Sequence, residues 1–306
     1  MYHEFYKLQV LPFENTPDPR FFYASEHHRE ALAAVEYTIR MRKGFVLLTG
    51  DIGSGKTTVG RTMAERCADK CQIVPVLHGH DTGESLVRQI MRSLELAMVE
   101  GEDHARRVER LRQKLLDQLY QNRPVVLLVD EAQNLPDEAL EELRLMSNFD
   151  TTAEKLVQIV LIGQPELRDR FRTSRLAPLR QRIVLAKQLR PLNLQETGGY
   201  IMHRIRAASL DMQSVQVGFD AEAVAEVYRF TAGVPRLINA VCDNCLLLGF
   251  VREARTITPA IVKRGIEDMV PNFANDPWST GVATIMTNPV PVPNPATASL
   301  RLAGSC

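Results

Sequence analysis

Long apolar runs are missing from this sequence. The strongest, VVLLV at 125–129, falls far short of the roughly 18 residues that a bilayer-spanning helix needs. The N-terminus, MYHEFYKLQV, lacks a basic segment followed by an apolar stretch, so it does not read as a signal peptide. The expectation is a cytoplasmic chain with no direct membrane span. A surplus of charge is missing too: Lys plus Arg and Asp plus Glu are 37 each. That balance argues against a protein that coats nucleic acid, although it leaves room for a local basic patch. Cysteine is scarce, with five in 306 residues. Cys67 and Cys71, and Cys242 and Cys245, fall inside helix-like stretches with no turn residues around them and no His to complete a zinc knuckle. They read as small apolar residues on helix faces. No internal repeat is present.

What is present is the composition of a soluble globular protein, 45% hydrophobic and 24% charged, with length for one large domain or two modest ones. LPFENTPDPRFFYAS cannot be helical through its prolines. Ser25 then reads as the N-cap of a helix in which Ala31, Leu32, Val35 and Ile39 recur at helical spacing. From residue 44 strand and helix alternate: GFVLLTG, QIVPVLH, VVLLVD, LVQIVLIG and RIVLAKQL are apolar strands. Between them lie helical patterns at 57–70, 84–98, 103–121 and 136–148, and a short one at 165–181. Five such strands with intervening helices predict a mainly parallel sheet covered on both faces. Val108, Leu111, Leu115 and Leu119 form one stripe of the 103–121 helix and read as core-facing. After Pro191 the strand pattern stops and four helices follow, with Asp220 and Thr258 as caps. The expected organisation is a leader and helix at 1–43, an α/β core at 44–190, an all-helical subdomain at 191–270 and a proline-rich flexible tail at 271–306.

The stretch Gly50-Asp51-Ile52-Gly53-Ser54-Gly55-Lys56-Thr57, followed by Thr58, fits the phosphate-loop pattern without mismatch, after a buried strand and before a helix. Glycines let the backbone curl so that its N–H groups point at phosphate oxygens, and the helix adds its positive end. Lys56 reaches the terminal phosphates and the Thr57 hydroxyl is a Mg²⁺ ligand. The second half of such a site is an acidic pair at a strand end, and VVLLVDEAQ supplies it. Asp130 is the metal-side carboxylate, and Glu131 is placed to activate water. ATP and Mg²⁺ are the expected ligands. A small-molecule kinase of the same loop class would not need the helical second subdomain.

With these parts assembled, the chain resembles an AAA+ ATPase, and more narrowly the ExeA family of the general secretion pathway, over roughly 2–270. The resemblance rests on YKLQVLPFENTPDPRFFYASEHHREAL, GFVLLTGDIGSGKTT, LLVDEAQNLPDEALEELRLMSNF and QIVLIGQPELRDRF. It implies an α/β P-loop domain with a C-terminal helical lid, and it implies roles for further residues. Gln164 takes the place of the sensor-1 polar group. Arg180 or Arg182 is the arginine finger offered to a neighbouring subunit, with Arg180 slightly favoured. Arg236 is the sensor-2 arginine of the lid. Tyr23 or His28 contacts the adenine base, against the plainer reading that Phe13, Phe21 and Phe22 simply pack on the core.

Two uses of the nucleotide follow. The first is an ATP-driven assembly factor or motor of ExeA type, working as a homo-oligomer formed or stabilised by ATP on an unidentified protein partner. Secretion-type relatives are expected to continue into a membrane span that this sequence does not carry, so that partner would be membrane-bound and place the protein peripherally at the inner membrane. The second is an ATP-dependent regulator on duplex DNA, of transposition type. Arg168, Arg170, Arg172, Arg175, Arg180, Arg182, Lys187 and Arg190 would then form a phosphate track.

Overall fold

A computed structural model describes residues 1–15, 18–76, 82–152, 154–209 and 215–273, with side chains described to 269. Along the first part run α1 (Tyr2–Phe5), α2 (Glu26–Arg40), β1 (Phe45–Gly50), α3 (Lys56–Cys67), β2 (Gln72–Val76), α4 (Gly83–Ser93), α5 (His104–Tyr120) and β3 (Val125–Val129). Next come α6 (Asp137–Met146), β4 (Val157–Gly163), α7 (Pro165–Arg170), α8 (Ala177–Arg180) and β5 (Ile183–Leu189). The last part holds α9 (Leu194–Ala208), β6 (Gly218–Phe219), α10 (Ala221–Thr231), α11 (Pro235–Val251), β7 (Thr256–Ile257) and α12 (Pro259–Phe273). The chain divides into two units, one of residues 24–190 and one of residues 1–23 with 191 onward.

In the α/β unit the five strands form one parallel sheet in the order β2-β3-β4-β1-β5. All of β1 and β4 is buried, as expected of central strands covered on both faces. Successive side chains serve opposite faces. Phe45, Leu47, Leu127, Ile159 and Leu161 join Leu86, Ile90, Leu111, Leu115 and Leu143 of α4, α5 and α6 in one core, so the α5 stripe is packing. On the other face α3 comes close at Gly60, where a Cβ would stand 2.7 Å from Ile162 Cδ1. Strand β5 lies at the sheet edge and alternates half-buried and exposed residues, with Val184 exposed. The 84–98 helix stops at Ser93, because Leu94 caps it and Glu95 turns to φ +58. The 165–181 stretch is two short helices, not one.

The second unit is built from α9 to α12 around Ile201, Ile205, Val227, Ile238, Val241 and Leu246. It is not all helical: Gly218–Phe219 and Thr256–Ile257 pair as a short parallel ladder. The expected leader of 1–43 is also divided. Residues 1–23 belong with the helices of this unit, while α2 belongs with the sheet. The physical reason is the way the leader's aromatic and backbone groups are satisfied. Tyr6 is fully buried and donates to the carbonyl of Ala254 at 3.0 Å. Gln9 N donates to Ala208 O at 2.7 Å, and Arg204 Nη2 donates to Glu14 O at 2.8 Å. Phe13 and Phe21 are buried in the same core. Cys242 and Cys245 are buried there as well, and Cys67 and Cys71 are buried in the α/β unit. Helix α12 continues through Pro271 to Phe273, past the boundary expected at 270; the rest of the expected tail lies outside the described residues.

Candidate nucleotide site

The carboxyl ends of β1, β3 and β4 bring three loops together, the place where open parallel sheets hold ligands. The loop after β1 is the glycine-rich one. At Gly50 a Cβ would stand 2.6 Å from Ser54 Oγ and 3.0 Å from Leu189 Cβ, so the loop folds tightly back on itself. Asp51 and Ile52 are exposed at its tip, and Gly53 has φ +79. Gly55 has φ +90 and stands directly before α3, where it supplies no side-chain acceptor. A side chain at that φ is strained. The first-turn N–H groups of α3, on Lys56, Thr57 and Thr58, are therefore left for an outside acceptor, at the positive end of the helix. Ser54 Oγ is buried with no hydrogen-bond partner among the described residues. A phosphate fits this cradle of donors.

Lys56 is only 5% exposed, and its Nζ donates to Asp51 O at 3.0 Å. Burial pushes its ammonium below the usual lysine range, while Glu131, Asp130, Asp51 and Glu166 pull the other way. A further anion beside Lys56 would favour its charged form. Thr57 Oγ1 donates to Asp130 Oδ2 at 2.9 Å. A hydroxyl and a carboxylate joined edge to edge offer hard oxygen donors of the kind Mg²⁺ takes together with phosphate and water, so the donor set fits the metal.

Asp130 follows β3, and its Oδ1 accepts from Glu131 N at 2.9 Å. Glu131 itself sits at φ +49, ψ +40, left-handed backbone that non-glycine residues seldom adopt. Its Oε2 accepts from Gln133 Nε2 at 2.5 Å and from Gln164 Nε2 at 3.5 Å. Gln164, directly after β4, thus stands beside the Asp130–Glu131 pair. Gln133 escaped the sequence reading; the only signal was its place in DEAQ, two residues beyond Glu131.

The other predicted residues are placed differently. His28, expected at the adenine base, is buried with both ring nitrogens engaged. Its Nε2 bonds the carbonyl of Ser54 at 3.2 Å and its Nδ1 meets Ser25 Oγ at 2.6 Å. A carbonyl only accepts, so Nε2 carries the proton and Nδ1 accepts from the serine. His28 braces the phosphate loop and has no ring nitrogen left to bond a base. Tyr23 belongs to the helical unit, where its ring meets those of Tyr200 and His203 at 6.0 and 5.8 Å. Arg236 is exposed, as the second residue of α11 in that same unit.

Arg180 and Arg182 are exposed beside the start of β5. Five others of the basic cluster are engaged within the α/β unit. Arg168 pairs with Gln188, Arg172 with Asp169, Arg175 with Asp137 and Lys187 with Glu30. Arg170 donates to Gln133 O at 2.6 Å, Leu135 O at 3.0 Å and Asp137 Oδ1 at 2.6 Å.

Fold and site together define a P-loop nucleotide-binding protein of the parallel-sheet class. A family model described as an AAA domain matches residues 39–171. It is similar to General secretion pathway protein A of Aeromonas hydrophila, 35% identical over 282 residues that make up 92% of this chain. The chain spans about half the length of that relative, 51%. Among solved structures, the Aeropyrum pernix ORC2 protein in ADPNP–ADP complexes matches with a TM-score of 0.62 at 11% identity, over 84% of this chain and 71% of that one. Cdc6p from Pyrobaculum aerophilum matches with a TM-score of 0.60 at 15% identity, over 84% and 70%. At such identities these two likenesses bear on the fold alone. Among the described residues no helix is long and apolar enough to cross a membrane.

Proposed function

We propose that the chain binds Mg·ATP on the loop between β1 and α3, hydrolyses it, and couples hydrolysis to assembly with copies of itself and to the remodelling of a protein partner in a secretion-related process. The observation that carries the reading is the Thr57–Asp130 hydrogen bond, 2.9 Å, set beside a buried Lys56 and the Glu131–Gln133–Gln164 cluster. Backbone N–H groups of the loop and of the first turn of α3 hold the phosphates, and Lys56 balances the charge that grows on them. Thr57 and Asp130 are the residues that hold Mg²⁺, which when bound screens the phosphate charge. Glu131 accepts a proton from the attacking water, and Gln164 lies within reach of the same carboxylate. Arg180 or Arg182 acts on the nucleotide of a neighbouring copy.

The secretion setting rests on the similarity to General secretion pathway protein A. The reading on duplex DNA loses support because five residues of the proposed phosphate track are already engaged by acidic, amide or carbonyl groups of the same unit. The deciding experiment is ATP turnover per subunit against protein concentration, with and without duplex DNA at low salt. The reading expects a rate that climbs with concentration and ignores DNA. A rate that stays low until DNA is added would overturn it in favour of the DNA regulator.

A further inference from the structure

Gln133 lies in the 3₁₀ turn Ala132–Asn134, between the acidic pair and α6. Its amide is used at both ends. Nε2 donates to Glu131 Oε2 at 2.5 Å, and Oε1 accepts from the backbone N–H of Gln164 at 3.0 Å. The two partners fix the orientation of the amide, because a carboxylate only accepts and a backbone N–H only donates. One side chain therefore spans from the loop after β3 to the loop after β4. Gly163 makes room for it: a Cβ there would stand 3.0 Å from Gln133 Oε1. The turn is held from behind as well, since Arg170 of α7 donates to the carbonyls of Gln133 and Leu135 and to Asp137. Glu131, on left-handed backbone, would otherwise be held only by the longer 3.5 Å bond from Gln164 Nε2 among the hydrogen bonds to its carboxylate.

We infer that Gln133 is a positioning residue for the hydrolytic step. It pins Oε2 of Glu131 and leaves Oε1 as the oxygen that accepts from water, and it ties that geometry to Gln164. Arg170, one of the residues of the expected phosphate track, is the anchor of the turn that carries Gln133. The inference rests on the reading of Glu131 as the base of ATP hydrolysis.

The test uses the full chain with Gln133→Glu and Gln133→Met, measuring ATP affinity and kcat separately. Gln133→Glu keeps the size but puts a second carboxyl where the amide donated to Glu131, and Gln133→Met has neither charge nor amide. Both variants should lower kcat by about tenfold or more, on the scale of one lost hydrogen bond to a charged group, with ATP affinity within about threefold of wild type. Wild-type kcat in both variants would overturn the inference. If Gln133→Glu does not fold, by its thermal melt, an unchanged kcat in Gln133→Met alone overturns it. Loss of turnover in Glu131→Gln alongside unaffected Gln133 variants would sink the inference and spare the reading of the site. Turnover that survives in Glu131→Gln would sink that reading.

Discussion

Thr57 Oγ1 donates to Asp130 Oδ2 at 2.9 Å, closing a link between residues that stand 73 positions apart in the chain. The link places a hydroxyl from the first turn of α3 against a carboxylate at the end of β3, two strands from β1 in the sheet order. Removing either group should therefore damage metal use more than nucleotide contact.

Thr57→Ala takes away the hydroxyl and leaves Asp130 without that partner. The expected outcome, on the proposed reading of Thr57 as a metal ligand, is turnover reduced at least about tenfold and partly recovered by raising Mg²⁺. Chelation of divalent cations should abolish turnover in the wild type. A variant with unchanged Mg²⁺ dependence would remove Thr57 from the metal side of the site.

Glu131→Gln keeps shape and polarity but cannot take a proton. It should bind ATP as the wild type does and lose turnover by about 10²- to 10⁴-fold, the range of general-base catalysis. Equilibrium binding and single-turnover rates separate the two effects. Unchanged single-turnover hydrolysis would exclude Glu131 as the base.

Arg180→Ala with Arg182→Ala removes two exposed cations at a place remote in sequence from the loop and the acidic pair. If one of them serves a neighbouring subunit, turnover per subunit should fall by about 10³-fold or more, and the dependence of rate on protein concentration should flatten. Mixing the double variant with Glu131→Gln protein should restore some activity, since each kind of subunit supplies what the other lacks. Full activity per subunit in the double variant would dismiss the idea.

His28 offers a test of loop bracing. Its Nε2–H bond to Ser54 O is 3.2 Å long, and an amide on a Gln side chain can supply a similar donor. His28→Ala should weaken ATP affinity by about tenfold, the scale of one net hydrogen bond, and His28→Gln should recover part of the loss. Equal weakening in both variants would mean that ring packing, not the hydrogen bond, is what matters.

The sequence by itself determined the parts of this protein whose chemistry is contiguous. GDIGSGKTT specifies its loop because turn, donors and helix start are neighbours in the chain. VVLLVDE places two carboxylates at a strand end because five apolar residues bury the strand before them. The alternation of strand and helix from 44 to 189, and the helices after 191, were legible for the same reason: hydrophobic period is a local property. The tertiary structure decided what depends on which strands lie side by side. β4 falls between β3 and β1, so Gln164 meets Glu131 across 33 residues of chain and Gln133 bridges them. No spacing rule announces that adjacency. The bracing role of His28 came only from the fold, which set Ser54 O against one ring nitrogen and Ser25 Oγ against the other. Arg170, which read as part of a phosphate track, is met in the fold by three acceptors of its own unit. The leader read as one piece with α2, yet its buried aromatic rings and its backbone donors find partners among α9 to α12. A buried polar group goes where its partner is, and that place is fixed by packing between segments far apart in the chain.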